Sequence, residues 1–149
     1  INTQLFINDY WHLAIKYGAY GVHLGQEDLL NSDIYAISNA GVRLGISTHS
    51  FWEVSCALKF HPSYIAIGPV FPTSAKKMPW LTQGIKNLKY WRELIDVPIV
   101  AIGGISKKNM LEVKKTKVNG VSMINSILSK ENIAQAYKDL NNIWCGFEK

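Results

Sequence analysis

Two acidic residues carry the plainest chemistry in this chain. Asp9 ends the segment LFIND and Asp28 ends GQED, each at or shortly after the end of a short apolar run. If those runs are neighbouring parallel strands, they lie about 5 Å apart and the two carboxylates can converge on one cation. Hard oxygen donors of this kind suit Mg2+, which takes one or two carboxylates and completes its shell with water and substrate phosphates. The competing reading is that each Asp caps the helix that follows it. Lys76 sits in a long connection, FPTSAKKMPWLT, where a flexible cation could close over an anionic group and exclude water, or simply be a solvated loop lysine. Gly103-Gly104 follows the run IVAI. Glycines there let a phosphate approach backbone N–H groups, and they suit a tight strand-to-helix turn equally well. Ile124-Asn125-Ser126 ends the last apolar run, a place where barrels complete a phosphate site.

The histidines add little to that set. His12, His49 and His61 show no metal-ligand spacing, and His23 inside GVHLG reads as a packed strand histidine rather than a base. No nucleophile stands beside an evident activating partner. Acidic groups, a lysine, hydroxyls and glycines, with no dedicated base, form an inventory for positioning phosphates, not for covalent catalysis.

The elements that must position these groups follow from hydrophobic patterning. Short apolar runs recur at Leu5–Ile7, Gly21–Leu24, Val42–Ile46, Tyr64–Val70, Pro98–Ile102 and Val118–Ile124. Most are apolar at successive positions, as in strands buried on both faces of a parallel sheet. Between them lie helical patterns. Tyr10, Leu13, Ala14 and Tyr17 keep the i, i+3, i+4, i+7 spacing before a Gly18 stop. Further helices are expected at about 32–41, 83–95 and 108–116. Ser50 with Glu53 makes a capping-box pattern, and Ile133, Ala136, Tyr137, Leu140, Ile143 and Trp144 form the clearest stripe. Strand and helix thus alternate six times, which predicts a parallel sheet wrapped by helices. Asn8-Asp9, Gln26-Glu27-Asp28, Ser47-Thr48-His49, Thr73 with Lys76, Gly103-Gly104 and Asn125-Ser126 all fall just past strand C-termini. Chemistry aimed from one end of many strands is the habit of (β/α)8 barrels, whereas an open sheet gathers it at one switch point. The connection Phe71–Thr82 is long enough to act as a lid.

Composition sets the outer bounds. The chain has 149 residues, enough for one compact domain with its own core, with 48% hydrophobic and 18% charged residues. No apolar run is long enough to cross a bilayer. The opening INTQ lacks a basic, signal-like region and lacks Met, which leaves room for a longer precursor. Two cysteines without paired spacing, Cys56 and Cys145, suit a reducing cytosol. The net charge of +5 permits an anionic partner. The lysines at 107, 108, 114, 115 and 117 read as a solvated helix face, and without an aromatic stripe they give no case for nucleic acid.

The segments LFINDYWHLAIKYGAYGVHLGQEDL, LGISTHS, SYIAIGPVFPTSAK, VAIGGIS and GVSMINSI together resemble the thiamine-phosphate synthase family, from about Leu5 to Leu128. GQED is the element that best separates that family from its relative, the thiazole tautomerase. The resemblance implies a (β/α)8 TIM barrel of which this chain holds the last six β/α units as a single partial domain, 1–149. It implies a cytoplasmic, Mg2+-dependent transferase that joins hydroxymethylpyrimidine pyrophosphate to thiazole phosphate and releases pyrophosphate. In the dissociative mechanism of the family, pyrophosphate leaves first and the thiazole nitrogen captures the pyrimidine cation. Carried over by motif, Asp9 and Asp28 match the metal ligands. Asn8, Ser47 and Lys76 match the pyrophosphate and pyrimidine contacts, with Ser47 and Lys76 in the catalytic role. Thr73 and Gly104 match contacts to the thiazole phosphate, with Ile124 and Asn125 offering backbone N–H groups. The family lid reads Thr-x-Thr-Lys, and Ala75 replaces its second Thr. Asn125 stands where the family has Ser. The family's Gln-x-Arg-x-Lys element, which belongs to the first β/α units, has no counterpart near Ile1, so a fragment or a truncated gene product is expected. The partners implied are two small molecules, with no nucleic acid and no membrane, and with self-association left open. The alternatives are a non-catalytic phosphate-binding remnant and a tautomerase-like relative.

Overall fold

The computed structural model describes residues 3–73 and 80–146, an α/β fold of six strands alternating with helices. By their internal contacts, Ile1–Ala66 and Ile67–Lys149 form two compact units. The first contains β1 (Phe6–Asn8), α1 (Trp11–Lys16), β2 (Gly21–Leu24), α2 (Gln26–Leu30), α3 (Ile34–Asn39), β3 (Arg43–Thr48) and α4 (Phe51–Leu58), and it closes in β4 (Tyr64–Ile67). The second contains α5 (Gly84–Leu94), β5 (Ile99–Ile102), α6 (Met110–Lys115), β6 (Gly120–Ser122), α7 (Asn125–Leu128) and α8 (Ile133–Cys145).

In the first unit β1 and β2 pair in parallel with Ile7 opposite Val22 and Asn8 opposite His23. β2 and β3 pair in parallel with Val22 opposite Leu44, His23 opposite Gly45 and Leu24 opposite Ile46. Ser63 N donates to Leu44 O (2.7 Å) and Thr48 Oγ1 to Ala66 O (3.1 Å), which lays β4 along β3. Because side chains alternate along a strand, this register sorts them into two faces. Val22, Leu24, Leu44 and Ile46 share one face and are buried, with Ala14, Leu29, Ile37, Val54 and Ala57 as the core residues of α1 to α4. Phe6, Asn8, His23, Gly45 and Ser47 share the other face. That second face is where the pattern departs from a strand buried in apolar surroundings on both sides: it is aromatic and polar. A Cβ on Gly45 would lie 2.2 Å from Tyr64 Cζ, so glycine is the residue that leaves room for that ring.

In the second unit β5 and β6 pair in parallel with Ala101 opposite Val121. Leu88, Trp91, Ile99, Ala101, Met110, Val113 and Leu140 are among its buried apolar residues. The stripe on α8 is only partly covered. Its C-terminal half packs, with Leu140 buried, whereas Ile133 and Tyr137 remain exposed. Asn132 caps this helix by accepting from Gln135 N (2.9 Å), and Gly146, at φ 82°, ends it.

The strands and helices expected from the sequence form with ends moved by a few residues. Two short helices, α2 and α7, lie outside those expectations, because segments of 5 and 4 residues carry no full helical period. The capping pattern at Ser50 forms with one change. Ser50 Oγ accepts from Glu53 N at 3.2 Å, but the Glu53 carboxylate accepts from the N–H of His49 (2.7 Å), one residue before the cap, and contacts His49 Nδ1 (2.8 Å). Ser50→Ala is expected to cost about 1 kcal/mol, read as a lower denaturation midpoint with an unchanged denaturant slope.

Candidate functional site

The first unit gathers four of the expected site residues at the C-terminal rim of its strands. Asn8 is the last residue of β1, and Asp9 follows it at φ 64°, a left-handed conformation that Asp tolerates better than most residues. Hydrogen bonds hold it there. Asp9 N donates to His23 O on β2 (2.9 Å), and Asn8 Nδ2 donates to Asp9 Oδ2 (2.7 Å). Asn8 therefore acts first on its neighbour's carboxylate, fixing its orientation.

Asp28 reaches the same rim by another route. Gly25 follows the end of β2 and is the N-cap of α2, and Asp28 lies in the first turn of that helix. A Cβ on Gly25 would lie 3.2 Å from Asp28 Oδ2, so the carboxylate folds back over the strand end. Neither acid is the N-cap of the helix after it. Those positions belong to Tyr10 and Gly25, without a side-chain capping bond. Among the described residues the Asp28 carboxylate has no hydrogen-bond partner or ion pair. A half-exposed carboxylate left unpaired at the strand ends, like the oriented one of Asp9, is the kind of hard oxygen donor that a divalent cation takes. No group of three or more His, Cys, Asp or Glu that could hold a metal occurs among the described residues. Such an ion would therefore rest on two carboxylates and take its remaining ligands from water and substrate, as Mg2+ does.

Ser47 stands on the next strand, one residue past the Leu24–Ile46 pair. Gln26 Nε2 donates to Ser47 O at 2.6 Å and ties the end of β3 to the start of α2. The Ser47 hydroxyl lies 2.8 Å from His23 Nε2, and the other ring nitrogen, Nδ1, lies 2.8 Å from the Tyr64 hydroxyl. The His23 and Tyr64 rings stack at 5.6 Å with 15° between planes, and Phe6 meets Tyr64 edge-on at 5.3 Å.

The Ser47–His23 contact itself was not among the expectations drawn from the sequence. Ser47 and His23 are 24 positions apart, and only the strand register shows that they meet. The signal available in the sequence was the parity of two polar residues on adjacent apolar runs. The pair does not make a nucleophile and base of the hydrolase kind. His23 is backed by a phenol, and among the described residues no carboxylate bonds its ring to stabilise an imidazolium.

Burial pushes the His23 imidazole below its usual 6.5 and pushes the Tyr64 phenol up to about 12. Between the folded and unfolded pKa of His23 the unfolded chain binds more protons, so stability rises with pH through that window. It is lost as pH falls below 6.5. The denaturation midpoint should be lower at pH 5 than at pH 7.5, and His23→Gln should flatten the difference.

The second unit holds the other described candidates. Gly103 and Gly104, at φ 87° and 67°, follow β5. Asn109 pins their loop, with Oδ1 accepting from Ser106 N (2.8 Å) and Nδ2 donating to Gly104 O (3.0 Å). Ser126 Oγ donates to Ile105 O (2.7 Å), which brings the start of α7 against the same loop. Ile124 is the N-cap of α7 and Asn125 its first residue, both exposed. Thr73 is the last described residue before 80, and Phe71 N donates to Gly103 O (3.1 Å), so its segment runs beside the glycine loop. The base of the long connection is closed by Gln83 N to Pro69 O (2.7 Å) and Gly84 N to Val70 O (3.0 Å). Lys76 and Ala75 lie outside the described residues. Among the described residues no helix is long and apolar enough to cross a membrane.

Comparison with known proteins gives this geometry a context. Residues 1–127 match the family model described as thiamine monophosphate synthase. The chain is 51% identical over 140 residues to the thiamine-phosphate synthase of Citrobacter koseri, covering 93% of this chain and 66% of that protein. It is 54% identical over 126 residues to that of Enterobacter sp. (strain 638), covering 84% of this chain and 60% of that protein. The chain thus spans a little under two thirds of the length of these curated relatives. Among solved structures, thiamine phosphate pyrophosphorylase from Pyrococcus furiosus superposes on 97% of this chain and 68% of its own, with a TM-score of 0.81 and 34% identity.

Proposed function

The chain belongs to the thiamine monophosphate synthase family, and from that membership we propose that it carries the family's reaction: joining hydroxymethylpyrimidine pyrophosphate to thiazole phosphate, with thiamine phosphate and pyrophosphate as products. The observation that carries the reading is the identity of about half with proteins named thiamine-phosphate synthase, over nearly the whole of this chain. The fold is read as the last six β/α units of a TIM barrel in a single domain, and the location as cytoplasmic.

The rim of the first unit supports the roles assigned to it. Asp9 and Asp28 are the residues that would hold Mg2+, and the ion when bound supplies positive charge to a departing pyrophosphate. Asn8 orients Asp9 and stands on the substrate side of the rim. Ser47 presents its hydroxyl to the pyrimidine pyrophosphate. Lys76 is assigned the second positive charge, delivered by the connection that follows Thr73. In the second unit, Gly104 with the backbone N–H groups at Ile124 and Asn125 is assigned the thiazole phosphate, helped by Thr73. No residue in this set attacks the substrate. Catalysis by charge placed where a leaving group develops charge needs none.

The test is pyrophosphate release with both substrates and Mg2+, measured for this chain and for the chain extended N-terminally by the first β/α units of the Citrobacter koseri relative. Turnover by either form, dependent on both substrates, supports the reading. Absence of turnover in both, with each folded, overturns it.

A further inference from the structure

The contact between Ser47 and His23 has a direction, and the direction follows from counting protons. A neutral imidazole carries one N–H and one bare nitrogen, so of its two hydroxyl partners one must donate and the other accept. Two arrangements are open. In one, Nδ1–H donates to the Tyr64 oxygen and the Ser47 hydroxyl donates to Nε2. In the other, the Tyr64 hydroxyl donates to Nδ1 and Nε2–H donates to Ser47.

The surroundings separate them. Among the described residues His23 is the only hydrogen-bond partner of the Tyr64 hydroxyl. Tyr64 is packed edge-on by Phe6, stacked on His23 and fitted over Gly45. In the first arrangement the proton of this half-buried hydroxyl would have no partner among the described residues of that cluster, which forfeits a hydrogen bond. The second arrangement uses the phenol, the stronger acid of the two hydroxyls, as donor and the serine oxygen, the better acceptor, as acceptor. It leaves one proton unused, that of Ser47. Ser47 is half-exposed at the rim, and among the described residues His23 is the only partner of its hydroxyl.

We propose that Tyr64 and His23 are positioning residues which hold the Ser47 hydroxyl as a hydrogen-bond donor facing the rim formed by Asn8, Asp9 and Asp28. The ligand group it takes is an acceptor: a phosphate oxygen or a bare heterocyclic nitrogen. This deepens the proposed function and rests on it only for the identity of the ligand.

Two measurements test it. Long-range 1H–15N correlation spectra of the 15N-labelled chain at pH 7.5 should show His23 protonated at Nε2 and bare at Nδ1. The opposite tautomer overturns the proposal. Tyr64→Phe keeps the stacked ring and removes only the hydroxyl. Nε2–H should then share its population with Nδ1–H, and kcat should fall by about tenfold with KM changed less than about twofold. In a Ser47→Ala background Tyr64→Phe should change nothing further, because its effect runs through the lost hydroxyl. Equal losses in both backgrounds would mean that Tyr64 serves only the packing, and would overturn the proposal. The tautomer needs no turnover to be read, so a chain without synthase activity would count against the proposed function and leave the tautomer to decide this one.

Discussion

Under the proposed function, Asp28→Asn should lower Mg2+-dependent turnover by about a hundredfold or more while the protein stays folded. The size follows from charge. The rim offers two carboxylates, and replacing one by an amide halves the negative charge available to a divalent cation that prefers hard anionic oxygen. Loss of even an outer partner of a metal ligand costs about 10–100-fold, and loss of one ligand of two should cost at least that. The small structural effect follows from the contacts. Among the described residues the Asp28 carboxylate has no hydrogen-bond partner to lose. Its favourable place in the first turn of α2 is worth about 0.3–1 kcal/mol at a helix N-terminus. Raising Mg2+ should restore part of the activity of the variant, because the amide oxygen remains a weak ligand. Steady-state rates over a Mg2+ series, with a thermal unfolding curve for each protein, make the comparison. Unchanged activity at low Mg2+ would remove Asp28 from the metal assignment. A large fall in melting temperature would show that the carboxylate has a structural task not visible in its contacts.

Gly104→Ala should destabilise the protein far more than the addition of one methyl group usually does. Gly104 sits at φ 67°, where an L side chain costs about 1–2 kcal/mol. A Cβ there would also lie 2.5 Å from Pro72 O and 2.7 Å from Phe71 O. Those are backbone atoms, so relief requires moving the segment and its bond from Phe71 N to Gly103 O. Together the two terms predict a loss of about 3 kcal/mol or more, or roughly 10 °C in melting temperature for a domain of this size. Gly41→Ala separates them. Gly41 has φ 69° but nothing within 4 Å of its would-be Cβ, so it should lose only the conformational part, about 1 kcal/mol. If the two variants lose equal stability, the close approach at Gly104 is relieved at no cost. In the proposed function the same substitution should raise KM for thiazole phosphate more than KM for the pyrimidine pyrophosphate.

The close approach also changes what Gly103-Gly104 means. From the sequence these glycines are open to two readings, a phosphate cradle or a tight turn. The geometry supplies a third requirement, that the chain pass within contact of Phe71 and Pro72. That requirement depends on a segment distant in the chain, and no local pattern contains it.

The acidic rim was legible for the opposite reason. Apolar runs that end in acids are local features, and the direction of a parallel strand fixes the end from which they project. Six alternations of strand and helix, the acids Asp9 and Asp28 past the ends of two of them, and Ser47 at the end of a third were all readable from hydrophobic period and length. The family followed from the same motifs, since their order along the chain is itself sequence information.

What the tertiary structure alone decided were relations between strands. A strand's pattern says that residues alternate between faces but not which partner sits opposite. Register is set by long-range packing of the whole sheet. Only the pairing of Asn8 with His23 and of His23 with Gly45 brings Ser47, His23 and Tyr64 into one hydrogen-bonded line. The same holds for Asp28, which the sequence placed just past a strand end and the fold placed on the first turn of a helix too short to show a period. Short-range physics therefore determined which groups this protein carries and the end of the strands where they gather. Long-range pairing decided which of them touch.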